Sequence, residues 1–478
     1  MKHFLSIALF LLICSCSPQQ HQPVSLAQID TEETAGNFKQ AAYLIDLYIA
    51  ENDLSEDSVY ILNQRKDIMH RIVLDFDKDK DSVIEYIKKY YPDVNDEMLA
   101  GWEEKKKLEY KIIEGEKKYF DRAASNLFRL DEAAKARKSE VNGPSTDALA
   151  ETLKVHLPDV TSTLSKTGKT QAAPVNMTVK YAVTLEANAV PDGETVRCWL
   201  PFPREDNRRQ SNIKLLAVND NNYIIAPPQY AHHTVYMEKI AKKDEPLTFS
   251  LEFSYTSVAE WFNLKSKDIQ PYDVNSDLYK TYTAERSPHI VFTDSIKAIS
   301  ERIVGNETNP FRKMQKIWEW VDATYPWAGA REYSTIKNIP LYVAESGHGD
   351  CGQVTLTFLA LARYNGIPAR WQSGFMMHPN SKNLHDWSEF YIEGIGWVPM
   401  DESFGVNFFT DNEDVRNFYS NGIDAYRWVV NNDYSRALFP EKIFLRSDDV
   451  DFQRGELEWK GGNLYYDKWD YHFDISYK

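Results

Sequence analysis

Gly347-His348-Gly349-Asp350-Cys351-Gly352-Gln353, continuing as Val354-Thr355-Leu356-Thr357-Phe358-Leu359-Ala360-Leu361-Ala362-Arg363-Tyr364-Asn365-Gly366-Ile367-Pro368, is the stretch on which the fold turns. The apolar run is too dense for a surface helix and predicts a buried one. Glycines on both sides of Cys351 permit a tight turn into the helix and close approach of a substrate. Gly366 and Pro368 fit the left-handed cap and stop that end a helix. Cys351 therefore falls in the first turn, where unpaired N–H groups and the positive end of the dipole favour a thiolate. The expected effect is a thiol pKa lowered from about 8.5 by a unit or more. The same N–H groups could hold the oxyanion of a tetrahedral intermediate.

Downstream, His385-Asp386-Trp387-Ser388-Glu389-Phe390-Tyr391-Ile392 is β-rich and is bounded by the glycines of Glu393-Gly394-Ile395-Gly396. The chain then returns through Trp397-Val398-Pro399-Met400-Asp401, which predicts an antiparallel hairpin. Alternation puts His385, Trp387, Glu389 and Tyr391 on one face. Pairing Ile392 with Trp397 would send Asp401 to the wrong side. A three-residue loop pairing Ile392 with Gly396, or Tyr391 with Ile395, brings Asp401 to the His385 face. An odd loop or a bulge is thus predicted, because a carboxylate must reach the imidazole to fix its tautomer and stabilise its charged form.

These residues resemble a known family. The Gly-Asp-Cys-Gly helix start, the Asn-Gly-Ile-Pro-Ala-Arg exit at Asn365 to Arg370, the His-x-Trp-x-Glu strand at His385 to Glu389 and the Gly-Trp-Val-Pro-x-Asp strand at Gly396 to Asp401 are similar to the transglutaminase-like superfamily of papain-type cysteine enzymes. The resemblance covers residues 289–410. It implies an α+β core in which a helix bearing Cys351 packs on an antiparallel sheet bearing His385 and Asp401. It further implies that Cys351 is the nucleophile, His385 the general base and acid, and Asp401 the orienting carboxylate. Transamidases, peptidases, deglycosylating amidases and inactive copies share this fold, so fold alone does not choose among them.

Taken singly, each of the three has a plainer reading: a buried small hydrophobe, a structural histidine, a turn aspartate. Their order and neighbours favour catalysis. A zinc site built from His348, Cys351, His378 and His385 competes, but the spacings match no structural zinc signature, and neither metal nor cofactor is expected. Trp327, in the loop-like Tyr325-Pro326-Trp327-Ala328-Gly329, and Trp387, in register with His385, are candidate substrate contacts. Trp371 and Trp397 fit core packing better. His348 and Asp350 read as loop and cap residues without a part in proton transfer.

Met1-Lys2-His3, the apolar Phe4 to Ile13 and Cys14-Ser15-Cys16-Ser17-Pro18 have the form of an export signal. The cysteine after small residues resembles a bacterial lipobox, which implies cleavage before Cys16, lipidation of its thiol and a protein tethered at the cell envelope, periplasmic or surface-facing. That leaves Cys198, read as a core residue, and Cys351, with no disulfide framework. The net charge of −16 argues against a nucleic-acid partner. With 478 residues, 43% of them hydrophobic, the chain can bury more than one core. Nothing in the sequence speaks to oligomeric state.

The organisation expected is a lipoprotein signal at 1–16, a tether at 17–36, a helical domain at 37–140 and a linker at 141–173. A short helix from Ala148 to His156 is possible within that linker. A β-sandwich at 174–260 precedes the core, with strands at Met177 to Leu185, Thr195 to Leu200, Ile213 to Val218, His233 to Met237 and Leu247 to Tyr255. Helices Thr293 to Val304 and Pro310 to Ala323 should pack on the cysteine helix. Residues 411–478 are β-rich, with strand-like stretches at Lys442 to Leu445 and Leu464 to Tyr466. Asp75, Asp77, Asp79 and Asp81 alternate like a calcium loop but lack its glycine and bidentate glutamate, so a charged helix junction is predicted.

Two functions of different class fit. One is a membrane-tethered cysteine hydrolase or acyltransferase acting on peptide or glutamine-type amides through a thioester, with hydrolysis favoured because nothing marks a dedicated amine site. The other is a catalytically silent binding module for envelope peptides or glycans.

Overall fold

The computed structural model describes residues 23–143, 147–264 and 269–478. The export signal, Cys14, Cys16, the first part of the tether, and Pro144-Ser145 lie outside these residues. Contacts divide the chain into two compact units. Within residues 23–70 and 112–116, the helices Leu26–Ala35 and Phe38–Glu51 and the first turns of Glu56–Asp75 gather Ile29, Ala41, Ile45, Leu62 and Met69 into a small core. Residues 71–111 and 117–478 form the second unit.

That division corrects the reading of 37–140 as one helical domain. The pattern there is helical by period, yet Tyr110–Ile113 and Glu116–Tyr119 form a hairpin turning through Glu114 and Gly115, both at positive φ. Periodicity cannot tell on which core each helix spends its apolar face. Asp79 caps the helix Lys80–Lys88 through the Ser82 N–H, the junction role expected of that aspartate run.

The stretch read as a linker at 141–173 is instead largely one helix, Ala148–Thr167, started by Asp147 and closed by Gly168 in the left-handed region. Its Ser and Lys residues and all its Thr residues but the buried Thr161 lie away from the core, while Leu153, Leu157, Val160 and Leu164 are buried in the same core as the cysteine helix. Polar composition hid an amphipathic period.

Two five-stranded sheets make the β-module. One runs Gly422–Ile423, Leu247–Trp261, Gln171–Leu185 and Trp469–Tyr477, with Gln210–Val218 also on the second of these. The other runs Gly462–Leu464, Glu456–Trp459, Thr195–Pro201, Thr234–Ile240 and Tyr223–Ile225. The module therefore draws its last strands from 411–478 and does not end at 260. Lys442 to Leu445 is not a strand; Lys442 turns inward instead and pairs with Glu458 at 3.4 Å.

The catalytic-type sheet has the order Gly396–Met400, Ser381–Ile392, Ala369–His378, Arg427–Asn431. Against it lies the helix Cys351–Tyr364, buried from Gly352 to Arg363 as its density of apolar residues demanded. The helices Asp294–Ile303 and Pro310–Thr324, capped by Thr293 and Asn309, contribute Ile296, Phe311, Met314, Ile317 and Trp318 to the same core. Phe375, Met377, Trp428 and Val430 from this sheet enter the core of the β-module, so the sheet is anchored on two sides.

Candidate active site

Cys351 is the first residue of its helix, and Asp350 caps it reciprocally with Gln353. The Gln353 N–H donates to Asp350 Oδ1 at 3.1 Å, and the Asp350 N–H donates to Gln353 Oε1 at 3.3 Å. Tyr333 donates its hydroxyl to the same Asp350 oxygen at 2.6 Å. The sulfur lies 3.2 Å from Asp386 Oδ2. Burial pushes the Cys351 thiol well above its ordinary pKa, and the charges of Asp386 and Asp350 add to the rise. This corrects the expectation of a lowered value. The helix dipole acts within one turn on a group that two carboxyls and the loss of water act on more strongly. Both effects favour the neutral thiol over the thiolate.

His385 and Asp401 meet through the register of the hairpin. Ile392 pairs with Gly396, leaving the odd three-residue loop that the geometry required. His385 Nε2 and Asp401 Oδ2 are 2.7 Å apart. Because Asp401 occupies Nε2, the nitrogen left to exchange a proton with a thiol is Nδ1. Asp401 Oδ1 accepts the N–H groups of Ser403 and Phe404 at 3.1 and 3.0 Å, so the carboxylate is held from both sides. Burial lowers the His385 pKa and outweighs the pull of Asp401. For Asp401, burial acts to raise the pKa, but His385 and Arg427 overcome it and hold the carboxyl below its usual range.

Arg427 extends this arrangement inward. Its Nη1 sits 2.9 Å from Asp401 Oδ2, while Nε and Nη2 donate to Asp424 Oδ2 at 2.9 and 2.6 Å. Asp424 Oδ1 is in turn 3.0 Å from His378 Nε2. All four of Asp401, Arg427, Asp424 and His378 are essentially without solvent. The Arg427 cation lies between the two carboxyls of Asp401 and Asp424, and such pairing is the condition for burying charge.

Cys351 and His385 open onto one crevice of about 340 Å³. Phe404, Val406, Phe408 and Trp327 line it, and Leu149 and Leu153 of the helix Ala148–Thr167 line it as well. Trp327 is partly exposed, with the Arg129 guanidinium 4.3 Å from its ring centre. Trp387 is a different case and corrects the expectation of a substrate contact. It is fully buried, donates its indole N–H to Gln372 Oε1 at 2.8 Å and packs with Ile423 and Val429. The strand face shared with His385 is covered by residues more than thirty positions later, which alternation cannot reveal. Trp387→Ala is expected to cost about 3–5 kcal/mol of stability through the cavity it leaves. Trp327→Ala should leave the unfolding midpoint near that of the native chain and weaken substrate binding. Denaturant unfolding and KM separate the two.

The four residues of the competing zinc reading do not act together. His378 faces Asp424, and His348 lies edge-on to Tyr342. Among the described residues no group of three or more His, Cys, Asp or Glu side chains is arranged to hold a metal ion. Cys198 is an unpaired, buried thiol of the β-module core.

Sequence reasoning missed Arg427, Asp424 and the carboxyl of Asp386. Arg427 and Asp424 stand in a segment with no motif of its own, at a spacing of three that signals only local pairing. Asp386 sits inside the histidine strand, on the face opposite the one alternation singled out.

A helix that starts with a cysteine, packed on an antiparallel sheet carrying histidine and aspartate, is the core of papain-like cysteine enzymes. Residues 297–402 match the Transglutaminase-like superfamily model, and this part of the chain is a transglutaminase-like domain within a mixed helix-and-sheet fold. An uncharacterized protein of Haemophilus influenzae is 26% identical over a match covering 43% of this chain and 63% of that protein, so the match spans less than two thirds of the relative. Among solved structures, a Cytophaga hutchinsonii chain provisionally described as a cysteine protease has a TM-score of 0.44 at 12% identity, covering 64% of this chain and 92% of that one. The periplasmic domain of TgpA from Pseudomonas aeruginosa has a TM-score of 0.27 at 12% identity, covering 49% and 93%. No helix among the described residues is long and apolar enough to cross a membrane.

Proposed function

We propose that the protein is a cysteine-dependent amide hydrolase, tethered at the bacterial envelope by a lipid on Cys16, that acts on peptide or glutamine-type amides through a thioester on Cys351. The observation that carries this reading is the 2.7 Å contact between His385 and Asp401 at the head of the crevice that Cys351 shares. As an amide carbonyl approaches, the Cys351 S–H proton passes to His385 Nδ1 and the sulfur attacks the carbon. First-turn N–H groups of the cysteine helix, which the helix ladder does not use, are oriented to stabilise the developing oxyanion. Asp401, ionised and fixed by two backbone N–H groups, stabilises the imidazolium. His385 then gives its proton to the leaving amine, and water attacks the thioester with His385 as base. The apolar lining formed by Phe404, Val406 and Phe408 suits an amide flanked by apolar or aromatic side chains.

The test is incubation with envelope-type peptides and glutamine-containing proteins, followed by mass spectrometry of the products and of the acid-quenched Cys351 peptide. Chain cleavage or ammonia release together with an acyl adduct on Cys351 is the expected result. Cross-linked product would shift the reading to transamidation. An unmodified Cys351 with no product from any amide would sink it and leave the binding-module alternative.

A further inference from the structure

Asp386 stands beside the reacting sulfur in a position that the mechanism above does not use. Its Oδ1 accepts the side-chain N–H of Gln453 at 2.9 Å, so Oδ2, at 3.2 Å from Cys351 Sγ, is the oxygen left to carry a proton. Helix geometry keeps space for this carboxyl: a Cβ on Gly352 would lie 2.8 Å from Asp386 Oδ2 and 2.2 Å from Tyr333 Oη. Glycine at the second position of the helix is thus what lets the carboxyl reach the sulfur.

We propose that Asp386 is a further catalytic group, one whose protonated carboxyl donates from Oδ2 to the Cys351 thiolate as the nucleophile forms. The proposal rests on the reading of Cys351 as nucleophile. The proton balance is simple. The S–H bond breaks, its proton goes to His385 Nδ1, and the Asp386 proton stays on Oδ2 and turns its hydrogen bond toward the anionic sulfur. When sulfur bonds to carbon its charge is lost and the O–H···S interaction relaxes. Once Asp386 ionises, the same contact reverses: the carboxylate accepts the S–H and holds the thiol neutral.

The surroundings favour the protonated form. From the loop before Glu456–Trp459, Asp451 lies against Asp386, and both its charge and a side-chain hydrogen bond between the two favour a proton on Asp386. Asp451 Oδ1 already takes Ser373 and Asn431. From the cysteine helix, Asp350 faces the same carboxyl, and Tyr333 from the short turn Tyr333–Thr335 is spent on Asp350. Beyond Asp451 stands Asp448, with Arg454 and Arg446 nearest to that end. Burial followed by the charge of Asp451 pushes the Asp386 carboxyl well above the ordinary carboxylate range. A carboxylate facing a buried carboxyl favours the protonated form of that carboxyl.

The experiment follows iodoacetamide modification of Cys351 against pH, read from the mass of the Cys351 peptide of the full chain, so that Cys198 does not enter. The native chain should show two inflections, with a plateau or dip between them where Asp386 ionises and suppresses the thiolate. Asp386→Asn places an amide N–H permanently against the sulfur, since Gln453 orients its oxygen. That variant should show one inflection and react about tenfold faster or more on the alkaline side of the native plateau, the equivalent of one pKa unit. Asp386→Ala, without the donor, should react more slowly than the native chain on the acidic side. Gly352→Ala, which displaces the carboxyl, should behave like Asp386→Ala. A single inflection in the native chain overturns the proposal, and so do superimposable profiles for native and Asp386→Asn protein. Because alkylation needs no amide substrate, two inflections without any amide product would sink the hydrolase alone. Product through a Cys351 thioester with one inflection would sink the role of Asp386 alone.

Discussion

Turnover is expected to vanish in Cys351→Ala, by about 10⁶-fold, and to fall by about 10⁴-fold in Asp401→Asn with the fold intact. The first removes the sulfur on which the proposed acyl intermediate forms. The second is subtler. Asp401 accepts from His385 Nε2, and its other oxygen takes the Ser403 and Phe404 N–H groups. An asparagine keeps that shape. Its amide N–H2, facing Nε2, would force the proton onto Nδ1, the nitrogen that must receive the thiol proton, and would withdraw the charge that stabilises the imidazolium. Arg427 keeps its pair with Asp424, but its Nη1, 2.9 Å from Asp401 Oδ2, would then face an amide N–H2, so some stability is lost as well. Steady-state kinetics should therefore show a loss in kcat far out of proportion to the fall in the thermal unfolding midpoint. A variant that lost both in proportion would mean that Asp401 serves the fold alone.

Arg427→Ala is expected to destabilise the protein by about 3–5 kcal/mol, because it leaves Asp401 and Asp424 as uncompensated buried carboxylates. The sign of its pH dependence follows from the shifts. For Asp424 as for Asp401, burial acts to raise the pKa, yet Arg427 and the neighbouring histidine hold both below the ordinary carboxylate range. Carboxyls with depressed folded values contribute stability above their unfolded pKa, of about 4, and lose it as the pH falls through the folded value. Without Arg427 that contribution disappears. The gap between native and variant chains in denaturant unfolding should thus be widest near neutrality and close progressively below about pH 4. A gap independent of pH would assign Arg427 a packing role and remove it from the electrostatic support of Asp401.

The sequence was legible wherever local pattern and chemistry coincided. The Cys351 helix announced itself by apolar density with Asp350 before it and Gly366 after it. The odd hairpin loop was deducible because only certain registers bring Asp401 to the His385 face. The helices beginning at Asp294 and Pro310 showed their caps. These features depend on residues within a few positions of one another, where spacing and propensity suffice.

Tertiary structure decided the rest. Burial of Trp387, the amphipathic role of Ala148–Thr167 and the return of residues 456–477 to the β-module depend on partners far along the chain. The same holds for the electrostatics of the site. Sequence alone placed the sulfur at a helix start, which favours an anion, but only the fold brought Asp386 to 3.2 Å and removed the water. Desolvation and charge act through space, and period and motif do not encode distance. The sequence by itself determined that Cys351 starts a buried helix and that His385 and Asp401 share one face of a hairpin. The packed structure determined which carboxyls, cations and buried surroundings each of them meets, because those neighbours come from distant parts of the chain.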